Sequence, residues 1–149
     1  MIAGTGAEEA NLKELTKELK LENDVIFTGF VLDEELPNLY ALAKVFIMAG
    51  TAELQSIVTM EAMATGLPII AVRAMALPEL VHDQKNGFLF EHGDVDVMAE
   101  KIICLFTDND LYKKMSQKSL ELITRHDIVK ITNDFVNLYS SVINKHDIK

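Results

Sequence analysis

Ala49-Gly50-Thr51-Ala52-Glu53-Leu54-Gln55-Ser56-Ile57-Val58-Thr59-Met60-Glu61-Ala62-Met63-Ala64-Thr65-Gly66-Leu67-Pro68 is the stretch that decides the fold. Just before it, Val45-Phe46-Ile47-Met48 is a short apolar run of strand type. Gly50 and Thr51 open a loop, and Ser56 stands where a side chain can cap a helix by accepting a free amide's hydrogen bond. Ile57 to Thr65 reads as helix, Gly66 ends it, and Pro68 cannot continue it. Pro68-Ile69-Ile70-Ala71-Val72 is the next buried strand. A strand, loop, helix and strand in that order form the crossover of a parallel sheet. The fold class is therefore α/β, a Rossmann-like parallel sheet flanked by helices.

Ligands on open parallel sheets bind outside the carboxyl ends of the strands, which places a ligand at the loop from Gly50 to Ser56. A helix start there offers unpaired amides and a partial positive charge, suited to phosphate or sugar hydroxyls. Within the helix, Glu61 lies among Ile57, Val58, Met60, Ala62, Met63 and Ala64, so burial on more than one face is expected. A carboxylate in such surroundings is costly unless paired or hydrogen-bonded. Two readings stay open. Glu61 points along one wet edge with Thr65, or it accepts two vicinal hydroxyls of a ligand, as on a ribose. Glu53, as a loop glutamate, decides nothing by itself.

Outward from this unit the chain is scaffolding. Leu12, Leu15 and Leu19 give a first helix its buried stripe, with Glu8 and Glu9 at its positive end. Asp33 to Ala43 reads as helix carrying Leu36, Leu39, Tyr40 and Leu42, with Pro37 tolerated in its first turn. Asp94 can cap a helix whose Met98, Ala99, Ile102 and Phe106 face inward. Leu111, Met115 and Leu122 stripe the next helix, and Ile128, Ile131, Phe135, Leu138 and Val142 recur at helical spacing in the last.

At 149 residues, 49% hydrophobic and 25% charged, the chain has the length and composition of one soluble domain with its own core. A net charge of −9 disfavours a nucleic-acid partner and docking of this domain on an anionic membrane. There is no secretory signal and no apolar run of membrane-spanning length. Cys104 has no partner for an internal disulfide and reads as a buried small hydrophobe, which suits a reducing cytoplasm. His82, His92, His126 and His146 lack metal-ligand spacing, and no metal or cofactor is expected. His82-Asp83 reads as a solvated turn. Gly4-Thr5-Gly6 lacks the third glycine of a dinucleotide fingerprint, and Ser56 lacks the Gly-x-Ser-x-Gly elbow of a hydrolase nucleophile. A phosphate-receiver domain of similar size would need an acidic cluster at its strand ends, which this chain lacks.

The Glu53-x7-Glu61 spacing followed by Ala62-Met63-Ala64-Thr65-Gly66-Leu67-Pro68 resembles the retaining nucleotide-sugar glycosyltransferases of the GT-B fold, the large family with sucrose and glycogen synthases. Ile2-Ala3-Gly4-Thr5-Gly6, Val25-Ile26-Phe27-Thr28-Gly29-Phe30-Val31, Leu77-Pro78-Glu79-Leu80-Val81, Asn86-Gly87-Phe88-Leu89-Phe90 and Gly93-Asp94 resemble that family's carboxyl-terminal domain in the same order. The resemblance runs from about residue 2 to 106. It implies the carboxyl-terminal half of a GT-B fold, with roles residue by residue. Glu61 would accept the donor ribose hydroxyls, and Glu53 would orient the donor sugar as the catalytic position. Leu54, Gln55, Ser56 and Ile57 would line the donor site, the amides of Gln55, Ser56 and Ile57 reaching sugar and diphosphate, while Phe30 and Val31 would border the base through their backbone.

This chain departs from the family pattern in having Ala49-Gly50 for Pro-Ser and Leu54-Gln55-Ser56 for Gly-Phe-Gly. Glycines let backbone approach a ligand closely, so the donor-sugar contacts change, and the Gln55 side chain can supply an amide instead. This Glu-x-Gln variant resembles a subset that includes lipid glycosyltransferases. The family's earlier strand and helix, with an Arg and a Lys for the diphosphate, have no counterpart before Met1-Ile2. Residues 1–149 are thus expected to be one nucleotide-sugar-binding domain, truncated at its start and without the amino-terminal acceptor domain. Alone it would be inactive. In the whole enzyme, the resemblance implies, a sugar would pass from a nucleoside-diphosphate sugar to a glycan or lipid hydroxyl, with the enzyme cytoplasmic and at most peripheral at a membrane. Family terminal helices cross onto the amino-terminal domain, so the last helix here would lack a partner and favour self-association, unless it packs on its own sheet. A nucleotide-sugar epimerase of the same architecture and a non-catalytic interaction module are the competing readings.

Overall fold

The computed structural model describes residues 1–146, and the chain divides into two compact units, Met1–Leu39 and Tyr40–Lys149. In the first, β1 (Ile2–Ala3) pairs in parallel with β2 (Phe27–Gly29), and α1 (Glu9–Glu18) connects them. The Gly4 amide donates to the Gly29 carbonyl at 2.8 Å and closes the pairing. Lys13 reaches back to Glu9 at 2.6 Å, a surface ion pair of the helical (i, i+4) kind. The expected leucine stripe of α1 is corrected: Leu12, Leu15 and Leu19 are 39%, 47% and 57% exposed, and Thr16 is the buried residue of this helix. A two-stranded sheet offers one helix face too little surface to cover three leucines.

The helix α2 (Leu36–Leu42) begins in the first unit and ends in the second. It is shorter than the expected Asp33–Ala43, because residues 32–35 form a turn closed by the Glu35 amide on the Leu32 carbonyl at 2.9 Å. Pro37 occupies its first turn, where a missing N–H leaves no helical hydrogen bond unmade.

The second unit is built on a parallel sheet of β3 (Phe46–Met48), β4 (Ile69–Val72) and β5 (Gly87–Phe90), in that spatial order. Central β4 is buried along its whole length, so its four residues are uniformly apolar instead of alternating. Between β3 and β4 runs α3 (Ile57–Ala64), and between β4 and β5 the short α4 (Leu77–Leu80). Gly66, at φ +78°, ends α3. Its amide donates to Met63 at 3.0 Å and the Leu67 amide to Ala62 at 3.1 Å, the paired bonds of a Schellman stop. Gly87 is required by the sheet itself: a Cβ there would stand 1.8 Å from the Ile69 carbonyl oxygen on β4.

Two further helices follow, α5 (Val95–Thr107) packed on β4 and β5, and α6 (Asn109–Ile123) packed on α3 and α5. In α5, Asp94 caps the first turn by accepting from the Val97 amide at 3.1 Å, as its sequence position implied. Its inward face is Met98, Ile102 and fully buried Leu105, while Ala99 and Phe106 turn outward, against expectation. The spacing 98, 102, 105 follows one face, and Phe106 falls on its edge, where Lys44 lies 4.8 Å over the ring. In α6, Asp108 caps the first turn, a role the sequence reading did not give it; Met115 and Leu122 are buried as expected, with Leu111 half-buried. Buried Ser119 donates to the Leu67 carbonyl at 2.7 Å and fastens α6 to the end of α3.

A 3-10 turn (Thr124–His126) leads into α7 (Ile128–His146). Phe135, Leu138 and Val142 of α7 are 52%, 54% and 47% exposed, so this stripe is not covered by the chain's own sheet. The side chain of His146 lies outside the described residues. Among the described residues, no helix is long and apolar enough to cross a membrane.

Candidate functional site

The site hangs on the crossover from β3 through α3 to β4. After Met48 the chain leaves the carboxyl end of β3 into residues 49–56, the side on which parallel sheets present ligands. The Glu53 carbonyl accepts from the Ala76 amide at 3.1 Å, which pins this loop to the start of α4. The Glu53 carboxylate is half-buried and folds toward Gly50, where a Cβ would stand 3.9 Å from Oε1. Leu54 is 79% exposed, Ile57 is 60% exposed, and Gln55 is exposed beside them.

Ser56 corrects one expectation. It stands at the N-cap of α3, but in a left-handed conformation (φ 50°, ψ 67°), and its hydroxyl makes no cap bond. That backbone turns the side chain inward, where Oγ lies 2.8 Å from Thr59 Oγ1, both residues being buried. The caps of α5 and α6 use aspartates in ordinary φ and accept an amide three residues on. The first turn of α3 therefore has no side-chain cap on its amides, and the Thr59 amide turns back to the Ser56 carbonyl at 3.1 Å. A strained conformation of this kind at a non-glycine residue costs on the order of 1–3 kcal/mol and is characteristic of functional loops. Thr59→Val leaves the Ser56 hydroxyl without its partner. The expected loss is about 1–3 kcal/mol of unfolding free energy in denaturant titration, with Thr59→Ser close to wild type.

Glu61 lies in the second turn of α3 and is half-buried. The helix is not covered on all sides as expected. Thr59, Ala62 and Met63 are buried, while Ile57 and Val58 are 60% and 38% exposed. A three-stranded sheet and α6 cover one face of a helix and leave the other to solvent. Glu61 Oε2 accepts a hydrogen bond from the Tyr40 hydroxyl at 2.9 Å. Burial, then the hydrogen bond and the charge of Glu61, hold the Tyr40 phenol well above the ordinary phenolic range, so it remains a donor at neutral pH. Tyr40 was legible only as an apolar position of α2; nothing in a separation of 21 residues marks it as a partner of Glu61.

Phe30 and Val31 belong to the first unit, following Gly29 at φ +65°; Phe30 is 74% exposed and Val31 half-buried. That unit also holds a concavity of about 200 Å³ lined by Gly4, Thr5, Gly6, Leu12 and Phe27, together with Glu8 and Glu9. Two carboxylates in its lining suit it poorly to a phosphate. The His82-Asp83 turn is structural: Asp83 accepts from the Leu89 amide at 2.9 Å, and the His82 amide donates to buried Asn86 at 2.8 Å.

Chemically, the second unit offers a half-buried carboxylate held by a phenol, a loop carboxylate, and a row of uncapped amides at one sheet end. Carboxylates are acceptors for hydroxyl protons, and uncapped helix amides are donors suited to an anion.

The family pattern described as "Glycosyl transferases group 1" matches residues 1–121. The chain is 28% identical over 144 residues to the N-acetyl-alpha-D-glucosaminyl L-malate synthase of Bacillus anthracis, covering 96% of this chain and 37% of that protein. Among solved structures, Anabaena HepE in complex with UDP superposes with a TM-score of 0.83 at 30% identity, covering 93% of this chain and 40% of that one. Sucrose-phosphate synthase from Thermosynechococcus elongatus gives a TM-score of 0.83 at 26% identity, with 94% and 35% coverage. The chain thus spans about two-fifths or less of the length of these proteins. The parallel α/β sheets, the order of elements and these matches agree on one assignment: this chain belongs to the group 1 glycosyl transferases and has the Rossmann-like fold of their GT-B structures.

Proposed function

We propose that residues 1–149 are the donor-binding domain of a retaining glycosyltransferase, which moves a hexosyl group from a nucleoside-diphosphate sugar to an acceptor hydroxyl on a glycan or lipid. The observation that carries this reading is Glu61, whose carboxylate is held by Tyr40 on one oxygen and keeps its remaining lone pairs for a vicinal diol. Crystals of HepE, 30% identical to this chain, hold UDP and UDP-glucose, which favours a uridine donor.

In this reading the uncapped amides at Ser56 and Ile57, with Gln55, receive the diphosphate. Leu54 borders the sugar, and Phe30 and Val31 border the base. Glu53 orients the sugar hydroxyls as the bond from the anomeric carbon to the diphosphate breaks. The acceptor oxygen forms its new bond on the same face, and its proton passes to the departing diphosphate. Such chemistry rests on positioning and on fixed dipoles facing the developing charge, and we assign no cofactor to it. The acceptor-binding half is assigned to sequence beyond these residues, so the chain alone is inactive. Cys104, without an internal partner, suits a cytoplasmic enzyme. In the two-domain enzyme, Glu53→Ala is expected to lower kcat while donor affinity changes little, read from steady-state kinetics beside equilibrium binding.

Calorimetric titration of the chain with UDP, GDP, ADP and their hexose conjugates tests the proposal. One diphosphate series binds with a dissociation constant on the order of 0.1–1 mM, about −4 to −5.5 kcal/mol. Binding no tighter than that of inorganic diphosphate would overturn the donor-site reading and favour an interaction module.

A further inference from the structure

We propose that Tyr40 is a positioning residue for the donor ribose, holding the Glu61 carboxylate in the orientation that receives the two ribose hydroxyls. The inference rests on the donor-site reading above and adds a residue to it.

Three observations carry it. The Tyr40 hydroxyl lies 2.9 Å from Glu61 Oε2 and 3.4 Å from the Val58 carbonyl. A phenol has one proton, and the shorter bond to a charged acceptor takes it. The Tyr40 ring packs against Phe46 at 6.0 Å between centroids, so the donor projects from an element anchored to β3, not from a loop. Finally, Glu61 is half-buried on a helix whose neighbouring face, at Ile57 and Val58, is open.

A free glutamate side chain rotates about three bonds and loses that freedom when a ligand fixes it. With Oε2 already held, the freedom is lost on folding and not on binding, which is preorganisation in the physical sense. One donor occupies about a quarter of the carboxylate's acceptor sites and leaves room for two more hydroxyls. Burial and the Glu61 carboxylate hold the phenol well above the ordinary phenolic range, so Tyr40 stays a hydrogen-bond donor at neutral pH.

The test compares UDP with 2′,3′-dideoxyuridine diphosphate, which keeps base and diphosphate but lacks both hydroxyls. Dissociation constants are measured for the wild-type chain, Tyr40→Phe, Glu61→Gln and the double variant. Tyr40→Phe removes one oxygen and keeps the ring on Phe46, and its fold is checked by circular dichroism. Wild type is expected to prefer UDP. Tyr40→Phe should weaken UDP binding about 5- to 10-fold, as the loss of one hydrogen bond implies, while dideoxy binding stays unchanged. The double variant should be no weaker for UDP than Glu61→Gln alone, because Tyr40 acts through Glu61. Equal weakening toward both ligands would mark Tyr40 as merely structural and overturn the inference. So would a full preference for UDP retained by Tyr40→Phe while Glu61→Gln loses it; the donor-site reading would then survive. If the wild-type chain binds neither ligand, or does not distinguish them, the ribose role of Glu61 fails and this inference fails with it.

Discussion

Replacing Glu61 with alanine is expected to weaken nucleoside-diphosphate binding by about 1.5–3 kcal/mol, roughly 10- to 150-fold. The magnitude is that of hydrogen bonds to a charged acceptor in a partly desolvated place. From a starting constant on the order of 0.1–1 mM, the loss reads as disappearance of saturable binding. Stability should move much less, because the Tyr40 hydroxyl has the Val58 carbonyl at 3.4 Å as a second acceptor and need not remain unpaired. The two effects are therefore separable by a thermal melt beside a titration. Glu61→Ala binding diphosphates as well as the wild-type chain would remove Glu61 from the donor site.

Gly87→Ala should produce the largest loss of stability of any single methyl addition described above. The register of the sheet sets Gly87 opposite Ile69, and a Cβ would come within 1.8 Å of the Ile69 carbonyl oxygen and 2.7 Å of its carbon. Backbone cannot rotate away as a side-chain tip does, so β5 must separate from β4 in the buried centre of the unit. Overpacking of this kind costs about 3 kcal/mol or more. In a chain of this size that lowers the melting temperature by about 6–12 °C. Gly6→Ala is the control, since a Cβ there meets nothing within 4 Å. A Gly87→Ala melting point within a degree or two of wild type would show that the strand pairing tolerates what its geometry forbids.

The parts of this fold that were legible in the sequence are those governed by local rules. The strand, loop, helix and strand from Phe46 to Val72 followed from an apolar run, a glycine stop and a proline, each with a local cause. The cap at Asp94 followed from side-chain chemistry alone. Misreadings arose where tertiary coverage decides. Leu12, Leu15 and Leu19 have perfect helical spacing yet lie exposed, because periodicity gives a face and not what covers it. Ser56 has the side chain of a cap, but its left-handed backbone withdraws the hydroxyl toward Thr59. No propensity rule signals that strain.

The same division applies to the candidate site. Glu61 stood out through the cost of a carboxylate among apolar residues, and Glu53 only through the family resemblance of its spacing to Glu61. The phenol that settles Glu61's environment comes from α2, on the far side of β3 in sequence. Such a contact is set by packing of a helix against a strand, and one sequence does not encode it visibly. Phe30 and Val31 meet a ligand through backbone in the proposed reading, so their side-chain identities carry little information about the base.

The most direct test of the donor site is where a nucleotide lands on the chain. Amide resonances are followed by NMR as UDP is added to the wild-type protein. The account predicts saturable shifts at Ser56, Ile57 and Glu61 in the second unit and at Phe30 in the first, and the loss of those at Ser56 and Ile57 in Glu61→Ala. Shifts confined to the 200 Å³ concavity around Gly4, Thr5 and Phe27, or no shifts at several-fold millimolar UDP, would contradict it.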